Sequence, residues 1–298
     1  MAKVCEVIDV APLHEKAQGD VFSVPMVPSQ IARTFGGQVV AQALAAAQHT
    51  VEGKLVHSLH GYFVGPGDAA APARAEVERV RDGRSFATRQ VRIFQDDRLI
   101  FMLNAGFHIA DDFGPEHQDA MPEVMGPEEA AAAGGGGAPY STRIILREWE
   151  DWDIRLVPQE SRDPELAEAT GAGFRYVWFR NTSQEFAASE SSQDAHRAAL
   201  AYMSDMTLIR ASLLPHQGEQ VQLASLDHSI WFLRPVRVNE WLLYVQESPS
   251  AQNATGLATG KIFNQGGDLV AVVVQEGLTR TVHEGMQVGS HNGNWQNV

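Results

Sequence analysis

Residues 35–48 read FGGQVVAQALAAAQ, and from the glycine pair to residue 49 the run holds no Asp, Glu, Lys or Arg. Ala, Leu and Gln favour helix. A helix that is apolar nearly all round belongs inside a protein rather than on its surface. Four extended segments follow it: LVHSLHGYFV (55–64), ARAEVERVR (73–81), SFATRQVRIFQ (85–95) and RLIFMLNAGFHI (98–109). The second and third alternate apolar and polar residues, the period of a half-buried strand. Arg81-Asp82-Gly83 and Gln95-Asp96-Asp97 supply turns between them. No βαβ alternation appears. The pattern predicts an α+β unit in which an antiparallel sheet wraps one buried helix.

The unit occurs twice. A shift of 169 residues lays Tyr62-Phe63 on Trp231-Phe232, Pro66 on Pro235, Ile93-Phe94 on Ile262-Phe263 and Gly36 on Asp205. The second copy predicts a helix over roughly 194–214, then strands at 221–233, 240–248, 256–264 and 268–279, with Gln265-Gly266-Gly267 as a turn. DLVAVVVQ (268–275) is continuously apolar after its first residue and reads as a central strand. Between the copies, DDFGPEHQDAMPEVMGPEEAAAAGGGGAP (111–139) is acidic, then Ala-rich, then glycine-rich. Such a stretch is expected to bury too little apolar surface to offset its ordering entropy. The chain therefore divides into a first unit (1–110), a linker (111–140) and a second unit (141–298). The run Gly134–Gly137 has neither a preceding strand nor a following Lys-Ser/Thr, so it is not a phosphate loop. Two such units are expected to join sheet edge to sheet edge or helix back to helix back.

Composition removes several function classes. The 298 residues hold 23 basic and 37 acidic side chains, a formal charge of −14. That excludes nucleic-acid binding by a general basic surface, and an anionic ligand would need a local basic patch. The one cysteine, Cys5, allows no intrachain disulfide and no Cys-rich metal site. It suits a reducing, cytoplasmic setting and is expected on a loose terminus without a function. No apolar run reaches the ~18–20 residues of a membrane span, so no membrane insertion is expected. The N-terminus lacks the apolar core of a signal peptide, and the C-terminal SHNGNWQNV is polar, with no lipidation or peroxisomal signal. G-x-S-x-G, H-E-x-x-H and Rossmann glycine patterns are absent. His57 and His60, three apart on a strand, point to opposite faces and cannot jointly hold a metal without distortion. Asp227-His228-Ser229 are consecutive on a strand and cannot converge as a triad. No metal and no cofactor are expected.

Six motifs, FGGQVVAQAL (35–44), HSLHGYF (57–63), RDGRSFATRQV (81–91), DHSIWFLRP (227–235), NEWLLY (239–244) and VQEG (274–277), resemble the acyl-CoA thioesterase II family. They run in the family's order over roughly 30–109 and 174–281. The resemblance implies a double hotdog fold, two helix-in-sheet units in one chain. It also implies hydrolysis of acyl-CoA to free acid and CoA by a water held between an Asp opening the second helix, a hydroxyl on the next strand and a Gln near the last strand. Those roles fall on Asp205, Ser225 and Gln275; many members carry Thr where this chain has Ser225.

The chemistry is reasonable on its own terms. A thiol, with a pKa of about 8.5, leaves far more readily than an alcohol, so an oriented water suffices as nucleophile. A carboxylate at a helix N-terminus is stabilised by the dipole, which would make Asp205 an acceptor that positions water. The Gly36-Gly37 pair lets backbone amides approach a developing oxyanion. Arg81, Arg84 and Arg89 are the candidates for the CoA phosphates. Two alternatives stay open, a hotdog enoyl-CoA hydratase or dehydratase using His57, His60 or His228, and a non-catalytic acyl-CoA sensor. Exposed sheet edges favour a homodimer or homotetramer.

Overall fold

The structure is a computed structural model, described here for residues 3–13, 20–27, 33–133, 149–158, 173–187, 192–216 and 218–282. The helices are α1 (Val4–Val7), α2 (Gly36–Gln48), α3 (Pro127–Ala133), α4 (Gln184–Ala187) and α5 (Gln193–Ser204). The strands are β1 (Ala11–Pro12), β2 (Asp20–Val24), β3 (Leu55–Phe63), β4 (Ala73–Asp82), β5 (Phe86–Gln95), β6 (Arg98–His108), β7 (Trp152–Leu156), β8 (Arg175–Asn181), β9 (Val221–Ser225), β10 (Asp227–Phe232), β11 (Leu242–Gln252), β12 (Thr255–Asn264) and β13 (Leu269–Thr281). They form one antiparallel sheet in the order β1-β2-β4-β5-β6-β3-β10-β13-β12-β11-β8-β7, with β9 also pairing β13. The two units are thus joined edge to edge through β3 and β10.

The seam carries the signature of the duplication. His60 and Ser229 are 169 residues apart and directly opposite each other, with Nδ1 and Oγ 3.2 Å apart. A pair of equivalent residues faces itself only on a twofold axis, so an approximate twofold passes through this pair. Beside it Leu59 pairs with Ile230, both fully buried.

Helix α2 is buried from Gly37 to Ala47, as its lack of charge requires. It packs against α5, and the sheet wraps both. The contact is close because α2 opens on glycine: a methyl group at Gly37 would run into the backbone carbonyl of Tyr202. Ser192 caps α5, its hydroxyl accepting from the Ala195 amide at 3.2 Å.

The expected helix over 194–214 is broken. α5 ends at Ser204, Asp205 is its C-cap, and a 3-10 turn covers Leu208–Leu213. Ser204 turns its hydroxyl back to the Ala201 carbonyl at 2.9 Å, a side-chain bond that competes with the helical ladder. Thr207 then leaves helical geometry at φ −125°. The expected strand 221–233 is likewise two strands, parting at Leu226, whose carbonyl accepts from Phe63 N and whose amide donates to Glu276 O.

Strand β8 (RYVWFRN) carries little alternation in sequence, and the reason is burial on both faces. Tyr176, Trp178, Trp241, Leu243 and Phe263 on the outer face are covered by Met121, Val124, Met125 and Ala130. The stretch 111–133 therefore buries more than expected. Gln118 is hydrogen-bonded to Gly267 O at 2.8 Å and to Leu269 N at 3.1 Å, and Met125 O accepts from Trp178 Nε1 at 2.8 Å. Gly134–Gly137 lie outside the described residues. The segment around Cys5 is also tied down rather than loose: Val4 and Val7 are buried, and the Val4 amide donates to Asp151 at 2.9 Å.

Two predictions follow from this packing. Gly37→Ala should cost about 1–3 kcal/mol, because the methyl group must separate two packed helices; urea denaturation measures it. His196 is buried, and its Nδ1 accepts from the Val238 amide at 3.2 Å. Burial lowers its pKa, and that of fully buried His228, from 6.5. In the folded state both therefore favour the neutral form, and the unfolded chain binds more protons below that value. Their contribution should be complete above pH 6.5 and decline as pH falls below it toward the lowered folded-state values. His196→Gln, which keeps an acceptor and removes the titration, should flatten the dependence of the denaturation midpoint on pH.

Candidate active site

Asp205, Ser225 and Gln275 come from α5, β9 and β13, and the fold brings them together. Register does part of this: β9 lies beside β13 with Ser225 opposite Gly277. Gln275, fully buried, donates through Nε2 to Asp205 Oδ1 and, at 3.0 Å, to Ser225 Oγ. Ser225 Oγ in turn donates to Asp205 Oδ1 at 3.3 Å. An amide flip would set Gln275 Oε1 against the carboxylate, so the orientation with Nε2 inward is the one chemistry allows. Both amide protons of Gln275 are then used.

The helix-dipole expectation for Asp205 is corrected. It does not open a helix; it closes α5, at the carbonyl end, where an anion is disfavoured. The compensation comes from across the helix pair. A Cβ at Gly36 would lie 2.6 Å from Asp205 Oδ2, so the carboxylate faces the N-terminus of α2. Oδ1 takes the hydrogen bonds from Gln275 and Ser225; Oδ2 has none among the described residues.

Behind the carboxylate is a closed polar network. Ser204 Oγ lies 2.8 Å from His228 Nε2 and donates to Ala201 O, so it accepts from the imidazole. His228 Nδ1 is left 3.9 Å from Asp205 Oδ1 without a hydrogen bond. Tyr244 donates to Ser204 O at 2.9 Å, and burial together with the Asp205 charge raises its pKa well above 10.

Asp205 and Ser225 line a cavity of about 390 Å³. Phe35, Val39, Phe63, Ile100, Met206, Ile209 and Leu223 make it largely apolar, and Gly36 opens on it. Gln275 is not on its wall; it braces the other two from behind. Gly37 is buried against Tyr202 one residue further into the helix.

The arginines expected at a phosphate are not at this cavity. Arg89 is 1% exposed, and its guanidinium donates to Thr50 Oγ1 and O, Arg81 O, Thr88 O and Asp82. With its donors spent inside the protein, it is a structural residue. Arg81 and Arg84 are exposed around the β4–β5 turn. The cations on the cavity wall are Arg33 and Arg210, and burial lowers the Arg210 pKa to about 10. A single basic residue inside the run MTLIRASLL (206–214) was the available signal for Arg210; nothing in spacing marked Arg33. His57 and His60 lie on β3, outside the cavity lining. Among the described residues, no group of three or more His, Cys, Asp or Glu side chains could hold a metal ion, and no helix is long and apolar enough to cross a membrane.

Comparison with known proteins matches this geometry to a family. Residues 152–278 match the family described as acyl-CoA thioesterase, and residues 25–108 match the acyl-CoA thioesterase N-terminal domain. The chain is 34% identical to human acyl-coenzyme A thioesterase 8 over 93% of its own length and 88% of that protein's. It is 35% identical to acyl-CoA thioesterase 2 of Haemophilus influenzae, over 83% and 88% of the two chains. The crystal structure of the acyl-CoA thioesterase II TesB2 from Mycobacterium marinum superposes with a TM-score of 0.78 at 41% identity, covering 94% of this chain and 98% of that one. The chain is thus a member of the acyl-CoA thioesterase II family, a thioester hydrolase on a double hotdog fold.

Proposed function

We propose that this protein hydrolyses acyl-CoA thioesters to free acid and CoA with a water positioned by Asp205 and Ser225. The observation that carries the reading is the convergence of three polar side chains from three elements, two of which, Asp205 and Ser225, lie on the wall of a largely apolar cavity. The apolar walls suit an acyl chain.

Asp205 Oδ2, facing the cavity side of the α2 N-terminus, is the base. It takes a proton as the water oxygen adds to the thioester carbonyl carbon. The amides of Gly36 and Gly37 open α2 ahead of its first helical hydrogen bond and are the proposed donors to the oxyanion. When the intermediate collapses, the carbon–sulfur bond breaks and the thiolate takes the proton back from Asp205. Ser225 holds the water and the carboxylate in register. Gln275 has no donor left for water and acts by fixing both partners.

The hydratase reading has no support from the cavity, since no histidine is among its described lining residues. The same polar cluster weighs against the sensor reading, since binding alone does not require it.

Asp205→Asn keeps the side-chain size and removes the base. It should lower kcat by about 10²–10⁴-fold while acyl-CoA still binds. Ser225→Ala should cost about tenfold, the value of one hydrogen bond to a charged group. Free-thiol release from acyl-CoAs of increasing chain length, with chelator present, measures both. Wild-type turnover in Asp205→Asn would remove the assignment. An accumulating acyl-enzyme that Ser225→Ala abolishes would make Ser225 the nucleophile instead.

A further inference from the structure

The cavity lining holds an arginine that the described side chains do not satisfy. Arg33 lines the cavity, is largely shielded from solvent, and makes no hydrogen bond or ion pair with any described side chain. Its Nε is buried without a partner. The chain carries 37 acidic residues, and Arg74, Arg79, Arg89, Arg92, Arg155 and Arg180 each meet a carboxylate within 4 Å.

Two other residues of the cavity lining share the condition. Thr34 Oγ1 and Trp149 Nε1 are buried without a partner, and both residues line the same cavity. Trp149 is 4% exposed and held edge-on against Phe35, with ring centroids 5.1 Å apart. Native proteins rarely leave buried donors unmatched, because each costs its full desolvation. A cation and two further unmatched donors lining one largely apolar cavity, whose other polar side chains are Asp205, Ser225 and Arg210, are matched by an anionic oxygen group.

We infer that Arg33, with Thr34 and Trp149, forms a subsite for an anionic oxygen group carried by the thioester, either a carboxylate at the far end of the acyl chain or a phosphate of the CoA arm. The inference rests on the thioesterase reading, since it takes the ligand of this cavity to be the thioester. It replaces the Arg81-Arg84-Arg89 cluster, whose most buried member is spent inside the protein. With an acyl carboxylate as the group, the subsite selects among acyl chains by charge; with a phosphate, it anchors the CoA arm.

The test uses the full chain, with Arg33→Gln and Arg33→Lys, and three substrates: hexanoyl-CoA, adipoyl-CoA and hexanoyl-pantetheine, which has no phosphate. If the group is a CoA phosphate, Arg33→Gln should raise KM for both CoA esters about tenfold or more relative to hexanoyl-pantetheine. If it is an acyl carboxylate, the rise should appear with adipoyl-CoA alone. In either case Arg33→Lys should restore part of the affinity, as a point charge without the planar fork does. KM values that keep their wild-type ratios across the three substrates would overturn the subsite, whether none of them moves or all move together. If the wild type releases no thiol at all, the thioesterase reading fails. The same three ligands in calorimetric binding to wild type and Arg33→Gln then decide the subsite on its own.

Discussion

The close crossing of α2 and α5 is the constraint on which the site depends. Glycine at position 37 brings the α2 backbone against the Tyr202 carbonyl, and glycine at position 36 lets the Asp205 carboxylate approach the start of α2. Asp205 stands at the unfavourable end of its own helix and at the favourable end of another. Its negative charge is acceptable because the N-terminal amides of α2 face it and Gln275 and Ser225 donate to it. The site is therefore a property of the pair of units. Asp205, Ser225 and Gln275 come from the second, and Gly36 from the first.

The sheet keeps that crossing in place. The β3–β10 seam joins the units with His60 facing Ser229 on the approximate twofold, and the helices that pack together lie within its curve. The duplication is not carried into function symmetrically. Position 36 is glycine where its equivalent is Asp205, so the same location in the two copies supplies a close backbone approach in one and a carboxylate in the other. One cavity near the helix crossing draws on both.

Much of the fold was legible because burial leaves periodic or compositional marks. An uncharged helix and the alternating strands of the first unit declared themselves within two residues at most boundaries. Strand β8 left no such mark, since both of its faces are covered and alternation disappears. The break after Ser204 was also hidden, because a hydroxyl turned back to Ala201 looks in sequence like any serine near a helix end. Arg89 reads as a surface charge beside a turn. Only its contacts with Thr50, Arg81, Thr88 and Asp82 reveal a buried structural cation.

The sequence by itself determined the class of unit, its duplication and the three polar residues of the candidate site, the last through motifs that resemble one family. These are properties of local pattern, and local pattern is what a linear chain displays. Tertiary structure alone decided which oxygen of Asp205 lacks a hydrogen bond among the described residues, that Gln275 braces rather than lines the cavity, and that Arg33 lines it while Arg89 is spent inside the protein. Those facts depend on which groups from distant segments meet in a low-dielectric interior. There each buried donor or charge must find a partner, and no spacing along the chain records whether it has done so.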